Sequence, residues 1–88
     1  MRDSRQEVTA PQGAQPTLAG LRIGIIAVGS RNGEFRARLL LRPESGDEAV
    51  IMSKGESKSI PGYGLLTLQD VSTEGKGSVT LSHNSEQG

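Results

Sequence analysis

Residues 35 to 42 read Phe-Arg-Ala-Arg-Leu-Leu-Leu-Arg and alternate apolar with polar side chains at nearly every position. A period of two predicts a β-strand with one face turned toward a core and the other turned away from it. The outer face is unusual because a leucine interrupts a row of arginines. We expect Phe35, Ala37, Leu39 and Leu41 on the inner face and Arg36, Arg38, Leu40 and Arg42 on the outer face.

Length and composition limit the size of the core around this strand and the functions open to the chain. The 88 residues suffice for one domain with a thin core, and one Phe, one Tyr and no Trp leave the packing to Leu, Ile and Val. The lack of cysteine excludes disulfides and thiolate metal sites. Ten Lys and Arg balance ten Asp and Glu, so no global field draws the chain to nucleic acid or an anionic membrane. No segment reaches the roughly 20 apolar residues of a membrane-spanning helix.

Composition also divides the chain into a domain and two flanks. Residues 1–20 are rich in Gln, Pro and Gly and predict a polar flexible leader. The alternative is an arm that docks onto a sheet edge through Val8 or Leu18. Residues 21–83 predict a single β-domain, and residues 84–88 a polar tail.

Turn signals subdivide the β-domain. Asn32-Gly33 and Pro61-Gly62 mark chain reversals, and broken alternation at Ile25 and Ile26 indicates two-sided burial or a β-bulge. The sequence therefore predicts an all-β fold, a small antiparallel barrel or two-layer sandwich of five to six strands with a flexible N-terminal arm. The strands are expected at residues 21–28, 35–42, 48–53, 59–60, 63–71 and 77–82.

Pairing across the loop of residues 43–47 determines the neighbours of the arginines. A symmetric five-residue loop places Leu40 opposite Val50 and Arg38 opposite Met52, with Arg42 facing Glu48. An apolar strip framed by arginines then lies on the outer face. We call this set the predicted patch, and it comprises Arg36, Arg38, Leu40, Arg42, Val50 and Met52.

Catalysis and cofactor binding find little support among the residue types. His83 is the only histidine, and it follows the last predicted strand, where we expect it to be solvated. Asp47 and Glu48 are adjacent, so on a strand they would point to opposite faces and could not share a proton. The glycines fall between strands and are typical of turns, because a phosphate loop needs a following helix. We expect a protein without enzymatic activity, metal or cofactor.

Protein recognition suits the predicted patch best, since Arg and Met are enriched at interface centres. The partner is then another protein or a second copy of the chain, bound to the patch or to an open edge strand. A second layer of the same monomer could instead cover the patch. The alternative function is a small barrel that binds single-stranded nucleic acid, but such faces usually carry aromatic platforms, and Phe35 is expected to point inward.

A further alternative follows from the order of motifs between residues 36 and 81. Gly55-Glu56 follows a strand, Ile60-Pro61-Gly62-Tyr63 leads into Leu66-Thr67-Leu68, and Gly77-Ser78-Val79-Thr80-Leu81 closes the span. In this respect the chain resembles the periplasmic β-domains of pilus and type II secretion inner-membrane components. The resemblance implies a role in such an assembly. Residues 2–7 are too polar for a signal peptide, so we expect a cytoplasmic protein, or a periplasmic or secreted one if this is a processed form.

Overall fold

The computed structural model describes residues 6–43 and 46–84, and these two ranges form strands and turns without a helix. The all-β prediction is confirmed, although the described residues form eight strands where five to six were expected. The strands are β1 (Gln6–Pro11), β2 (Thr17–Leu18), β3 (Leu21–Arg31), β4 (Glu34–Arg42), β5 (Glu48–Ser53), β6 (Ser57–Ile60), β7 (Gly64–Ser72) and β8 (Ser78–Asn84).

The strands form two four-stranded antiparallel sheets. One sheet has the order β1-β8-β7-β6 and the other the order β2-β3-β4-β5. Each sheet ends in edge strands, so the fold is not a closed barrel. Apolar side chains from both sheets join in one core. Its largest fully buried members are Ile23, Ile25, Leu39, Leu41, Met52, Leu66, Leu68, Leu81 and Val79.

The chain passes between the sheets at two corners, where consecutive amides bond to opposite sheets. At the first corner, the Gln12 N–H donates to the Gly77 carbonyl over 2.8 Å, next to β8. The following amide, that of Gly13, donates to the Ile25 carbonyl of β3 over 2.8 Å. The second corner has the same arrangement, with Lys54 bonded to Phe35 of β4 and Gly55 bonded to Leu68 of β7.

Residues 6–11 and 17–18 form strands of the two sheets, whereas the sequence predicted a polar flexible leader over residues 1–20. β1 pairs with β8 along its whole length, and β2 pairs with β3. Leu18 is only 3% exposed and belongs to the core. β1 is ordered by backbone bonds to β8, which is distant in sequence, and the composition of a segment does not reveal such bonds. Residues 1–5 of the predicted leader and 85–88 of the predicted tail lie outside the described ranges.

The bulge suggested by the sequence is present in β3. Its register with β4 shifts between Ile25 and Ala27, so Ile26 is the extra residue. The Asn32-Gly33 turn is also present, with Asn32 at φ +54°, a conformation that asparagine tolerates better than most side chains. A second bulge, between Leu68 and Asp70, was not expected.

The predicted register between β4 and β5 is wrong by one residue. Leu41 pairs with Glu48, so six residues separate the last two paired positions where the prediction had five. Arg42, the last residue of β4, pairs with Arg22 of β3 and not with Glu48, and its Nε lies 3.6 Å from Asp47 Oδ2. A shift of one residue turns every side chain of a strand to the opposite face. The alternation of β5 is therefore the reverse of the predicted one.

His83 is part of β8 and is 6% exposed, so the expectation of a solvated histidine is wrong. Its Nε2–H donates to the Tyr63 carbonyl over 2.7 Å, and the two rings lie 4.3 Å apart between centroids. Its Nδ1 is buried and has no hydrogen-bond partner among the described residues. The strand continues past the predicted end because Leu66 pairs with His83 and Leu65 pairs with Asn84.

Tyr63 fastens the start of β7 to the N-terminal segment, because its hydroxyl donates to the Leu18 carbonyl over 2.7 Å. Burial raises the pKa of Tyr63 to about 12. The folded protein thus keeps its phenol proton at a pH where the unfolded chain, with the usual value near 10, has lost it. We expect stability from this group to be complete below pH ~10 and to be lost as pH rises toward ~12.

The chain has a single tyrosine and no tryptophan, so ultraviolet absorbance of the phenolate reports on this residue alone. The absorbance should show one titration shifted above the usual tyrosine range. Tyr63→Phe should remove the corresponding fall in stability at high pH and cost about 1 kcal/mol at neutral pH through the lost hydrogen bond. A titration at the ordinary tyrosine pKa would contradict the buried placement.

Candidate interaction surface

The outer face of the β2-β3-β4-β5 sheet carries the arginines that dominate β4. Arg36, Arg38 and Arg42 are exposed there, and Leu40 between them is half-buried. Side chains of β3 and β5 extend the surface on either side of β4. We call this surface the arginine face, and it comprises Arg22, Gly24, Ile26, Ala27 and Gly29 of β3, Arg36, Arg38, Leu40 and Arg42 of β4, and Ala49 and Ile51 of β5.

The predicted patch needs correction at its two β5 positions. Met52 is 2% exposed and lies in the core opposite Ala37, and Val50 packs partly buried against that core opposite Leu39. Neither residue can therefore contribute to the outer surface. Ile51 takes their place there, opposite Arg38.

Two isoleucines are the exposed large hydrophobic residues of the described ranges, and both lie on the arginine face. Ile51 is 61% exposed and Ile26 is 44% exposed. Neither isoleucine was predicted from the sequence to lie on this surface. Ile26 could have been found by following the bulge, since the extra residue leaves the regular alternation. Ile51 depended on the register across residues 42–47 and could not be found from the alternation of β5 alone.

Charges on the arginine face are only partly neutralised. Arg36 Nη2 lies 2.7 Å from Glu34 Oε1, and Arg42 is paired with Asp47 at 3.6 Å. Arg22 and Arg38 make no ion pair within residues 6–43 and 46–84. Arg22 also lies directly opposite Arg42 on the neighbouring strand, an arrangement of like charges that destabilises a sheet. The face therefore has a net positive charge although the chain is neutral.

Two shallow depressions follow β4 along the arginine face. One, of about 240 Å³, lies between Gly24, Ile26 and Leu40 and is bordered by Arg42. The other, of about 210 Å³, lies over Ala27 and Gly29 and is bordered by Arg38 and Ile51. The first depression is also lined by Gly13, Ala14 and Gln15, which lie between β1 and β2. Each depression could accept an apolar side chain of a partner, with arginines at its edge to pair with carboxylates.

The other sheet presents a different chemistry on its outer surface. Hydroxyl and amide side chains on this sheet bond to each other across strands. Thr9 and Thr80 are 2.9 Å apart between hydroxyl oxygens, Ser57 and Thr67 are 2.7 Å apart, and Gln69 Nε2 donates to Ser82 over 2.7 Å. These polar groups already have hydrogen-bond partners, whereas Arg22 and Arg38 on the arginine face make no ion pair in the described ranges.

The titratable residues weighed for catalysis are separated in the structure. Asp47 pairs with Arg42, whereas Glu48 Oε2 lies 3.5 Å from Lys58 Nζ on the other sheet. In the described part of the chain, no group of three or more His, Cys, Asp or Glu is placed to hold a metal ion. None of its elements is a helix with the length and apolarity required to cross a membrane.

Compared with protein-family models, with curated proteins and with solved structures, the chain shows no significant match. The comparisons thus add no support to the resemblance to periplasmic β-domains.

Proposed function

We propose that the protein is a non-enzymatic interaction module that binds an acidic protein through the arginine face. The observation that carries the proposal is the proximity of Ile51, which is 61% exposed, to Arg38, which makes no ion pair with any residue in the ranges 6–43 and 46–84. Arginine and large apolar side chains together are typical of the energetic centre of protein interfaces. A partner that covers these side chains binds more tightly, because it buries apolar surface and pairs its charges with the arginines.

The structure of the face favours a partner with carboxylates at its contact surface. Arg38 lies between Ala27 and Ile51 on the two neighbouring strands, with no carboxylate paired to it in the described ranges. An arginine can pair with a carboxylate through two parallel hydrogen bonds, and such charged hydrogen bonds are stronger than those between neutral groups. The like-charge pair of Arg22 and Arg42 would also be relieved by a bound anion.

A single-stranded nucleic acid is the less favoured occupant, because the face lacks aromatic side chains on which bases could stack. Phe35 is partly buried against the core and lies under the Lys54 ammonium, which is 5.9 Å from the ring centroid. Tyr63 also packs against the core. The positive charge alone would give weak, salt-sensitive binding.

Arg38→Glu should abolish capture of the acidic partner and leave the melting temperature within about 3 °C of the wild type, because the side chain is on the surface. The measurement is cross-linking from a lysate of the native host, compared between wild type and variant by mass spectrometry. Lys76→Glu is the matched control, since it makes the same charge change at an exposed position of the β7–β8 turn.

A protein captured by the wild type and by Lys76→Glu, but lost with Arg38→Glu, would support the proposal. Identical capture by all three proteins would contradict it. A large fall in melting temperature for Arg38→Glu would show that the arginine serves the fold and not a partner.

A further inference from the structure

β5 is an edge strand that contributes Ala49 and Ile51 to the arginine face. β5 pairs with β4 on one side and with no described strand on the other. Unpaired strand edges are sites at which an extended peptide can add to a sheet.

The pairing with β4 determines the direction of each peptide group. The Lys54 N–H donates to the Phe35 carbonyl directly opposite over 2.9 Å, so this position is a hydrogen-bonded pair. Hydrogen-bonded and non-hydrogen-bonded pairs alternate along an antiparallel ladder. Met52 and Val50 are therefore bonded to β4, while the N–H and C=O groups of Ala49, Ile51 and Ser53 point to the free edge.

Glu56 closes one end of this edge. The Ser53 N–H donates to Glu56 Oε1 over 2.8 Å, and the Glu56 N–H donates to the Ser53 carbonyl over 2.9 Å. Both backbone groups of Ser53 are thus occupied. The donors and acceptors of Ala49 and Ile51 remain on the open edge.

Side chains beside the open edge specify what an added strand must carry. On the outer side lies Ile51, with Arg38 directly opposite it on β4. A strand added at about 4.8 Å from β5 would lie about 10 Å from β4, a distance that an arginine and a glutamate side chain can bridge together. Alternate residues of such a strand would face Arg38 past Ile51, and these are the positions for carboxylates.

We propose that the acidic partner supplies an extended segment that adds to β5 at Ala49 and Ile51 and places alternate carboxylates over the arginine face. This inference rests on the proposed function and specifies its mode of binding. A second copy of the chain fits less well, because edge-to-edge pairing through β5 would extend one positively charged face with another and supply no carboxylates to it.

The test uses an end-capped peptide of about ten residues, a length that spans a typical strand, with alternating glutamate and threonine. Binding of the fluorescently labelled peptide to the full chain is measured by anisotropy at low salt. Ala49→Pro removes the edge N–H and leaves the β4 pairing intact, since this amide does not take part in it. Ala49→Ser is the matched control that keeps the N–H. Amide hydrogen exchange of the wild type, with and without peptide, provides a readout that needs no variant.

We expect Ala49→Pro to weaken peptide binding by about tenfold or more, while Ala49→Ser binds as the wild type does. The amides of Ala49 and Ile51 should exchange more slowly when the peptide is bound. Arg38→Glu should weaken binding as well, and a peptide of alternating lysine and threonine should not bind.

Three results would overturn the inference: no binding of the glutamate peptide at low salt, unchanged exchange of both amides in its presence, or equal binding by Ala49→Pro and Ala49→Ser. If Arg38→Glu still loses binding in the last two cases, the arginine face remains the binding surface and only strand addition is wrong. Preferential binding of oligothymidine, or a dimer in sedimentation that forms without peptide, would contradict the acidic protein partner itself.

Discussion

Gly64→Ala is expected to lower the free energy of unfolding by at least about 3 kcal/mol, or to prevent folding at 37 °C. Gly64 has φ +127° and begins β7 where it meets the end of β8. A Cβ at this position would overlap the Asn84 carbonyl oxygen and would come 2.9 Å from His83 Nε2. The added methyl group would therefore push the β7–β8 pairing apart and disturb the hydrogen bond between His83 and Tyr63.

The control for this prediction is Gly62→Ala, two residues earlier. Gly62 also has a positive φ, +78°, but a Cβ there would meet no atom within 4 Å. The substitution should cost only the backbone strain of about 1–2 kcal/mol. Urea unfolding followed by circular dichroism measures both variants. Equal costs would show that backbone conformation, and not the close contact with β8, makes glycine necessary at position 64.

Leu39→Ala is expected to cost about 2–5 kcal/mol, because it removes a fully buried side chain and leaves a cavity. Leu39 has no exposed surface and lies between Ile25 and Val50 of the neighbouring strands. Both sheets contribute to the cluster that it joins. The loss should appear as a lower urea midpoint with an unchanged slope.

Leu40→Ala is the matched control on the same strand. Leu40 is half-buried on the arginine face, opposite Gly24 and Ala49, so its truncation should cost about 1 kcal/mol or less. Adjacent leucines with such different costs would demonstrate the alternation of β4 in solution. A larger cost for Leu40→Ala than for Leu39→Ala would mean that the two faces of β4 have been assigned the wrong way round.

Patterns within one segment predicted the structure well. Ala37, Leu39 and Leu41 are buried and Arg36, Arg38 and Arg42 are exposed, as the alternation of residues 35–42 indicated. The β3 bulge was visible for the same reason, since it interrupts an otherwise regular pattern. Side-chain periodicity is a local property of a strand, and the sequence displays it directly.

Relations between segments were harder to predict. The β4–β5 register depends on the number of residues in the connection, and one additional residue moved Met52 from the surface to the core. The pairing of β1 with β8 depends on residues that are distant in sequence, so the polar composition of residues 6–11 gave no sign of it. His83 was expected in solvent for a related reason, because its burial follows from pairing with Leu66 and from contact with Tyr63.

The pairing of β1 with β8 also affects the order in which contacts can form. Thr9 and Thr80 bond to each other across 71 positions of the chain, whereas β3, β4 and β5 pair with neighbours in sequence. Closing a long loop costs entropy before the contacts it permits can compensate, and such contacts slow folding. During synthesis, the meander that bears the arginine face can pair as soon as residue 53 has left the ribosome, while β1 must wait for β8. The segment that binds the proposed partner is thus available before the rest of the fold is complete.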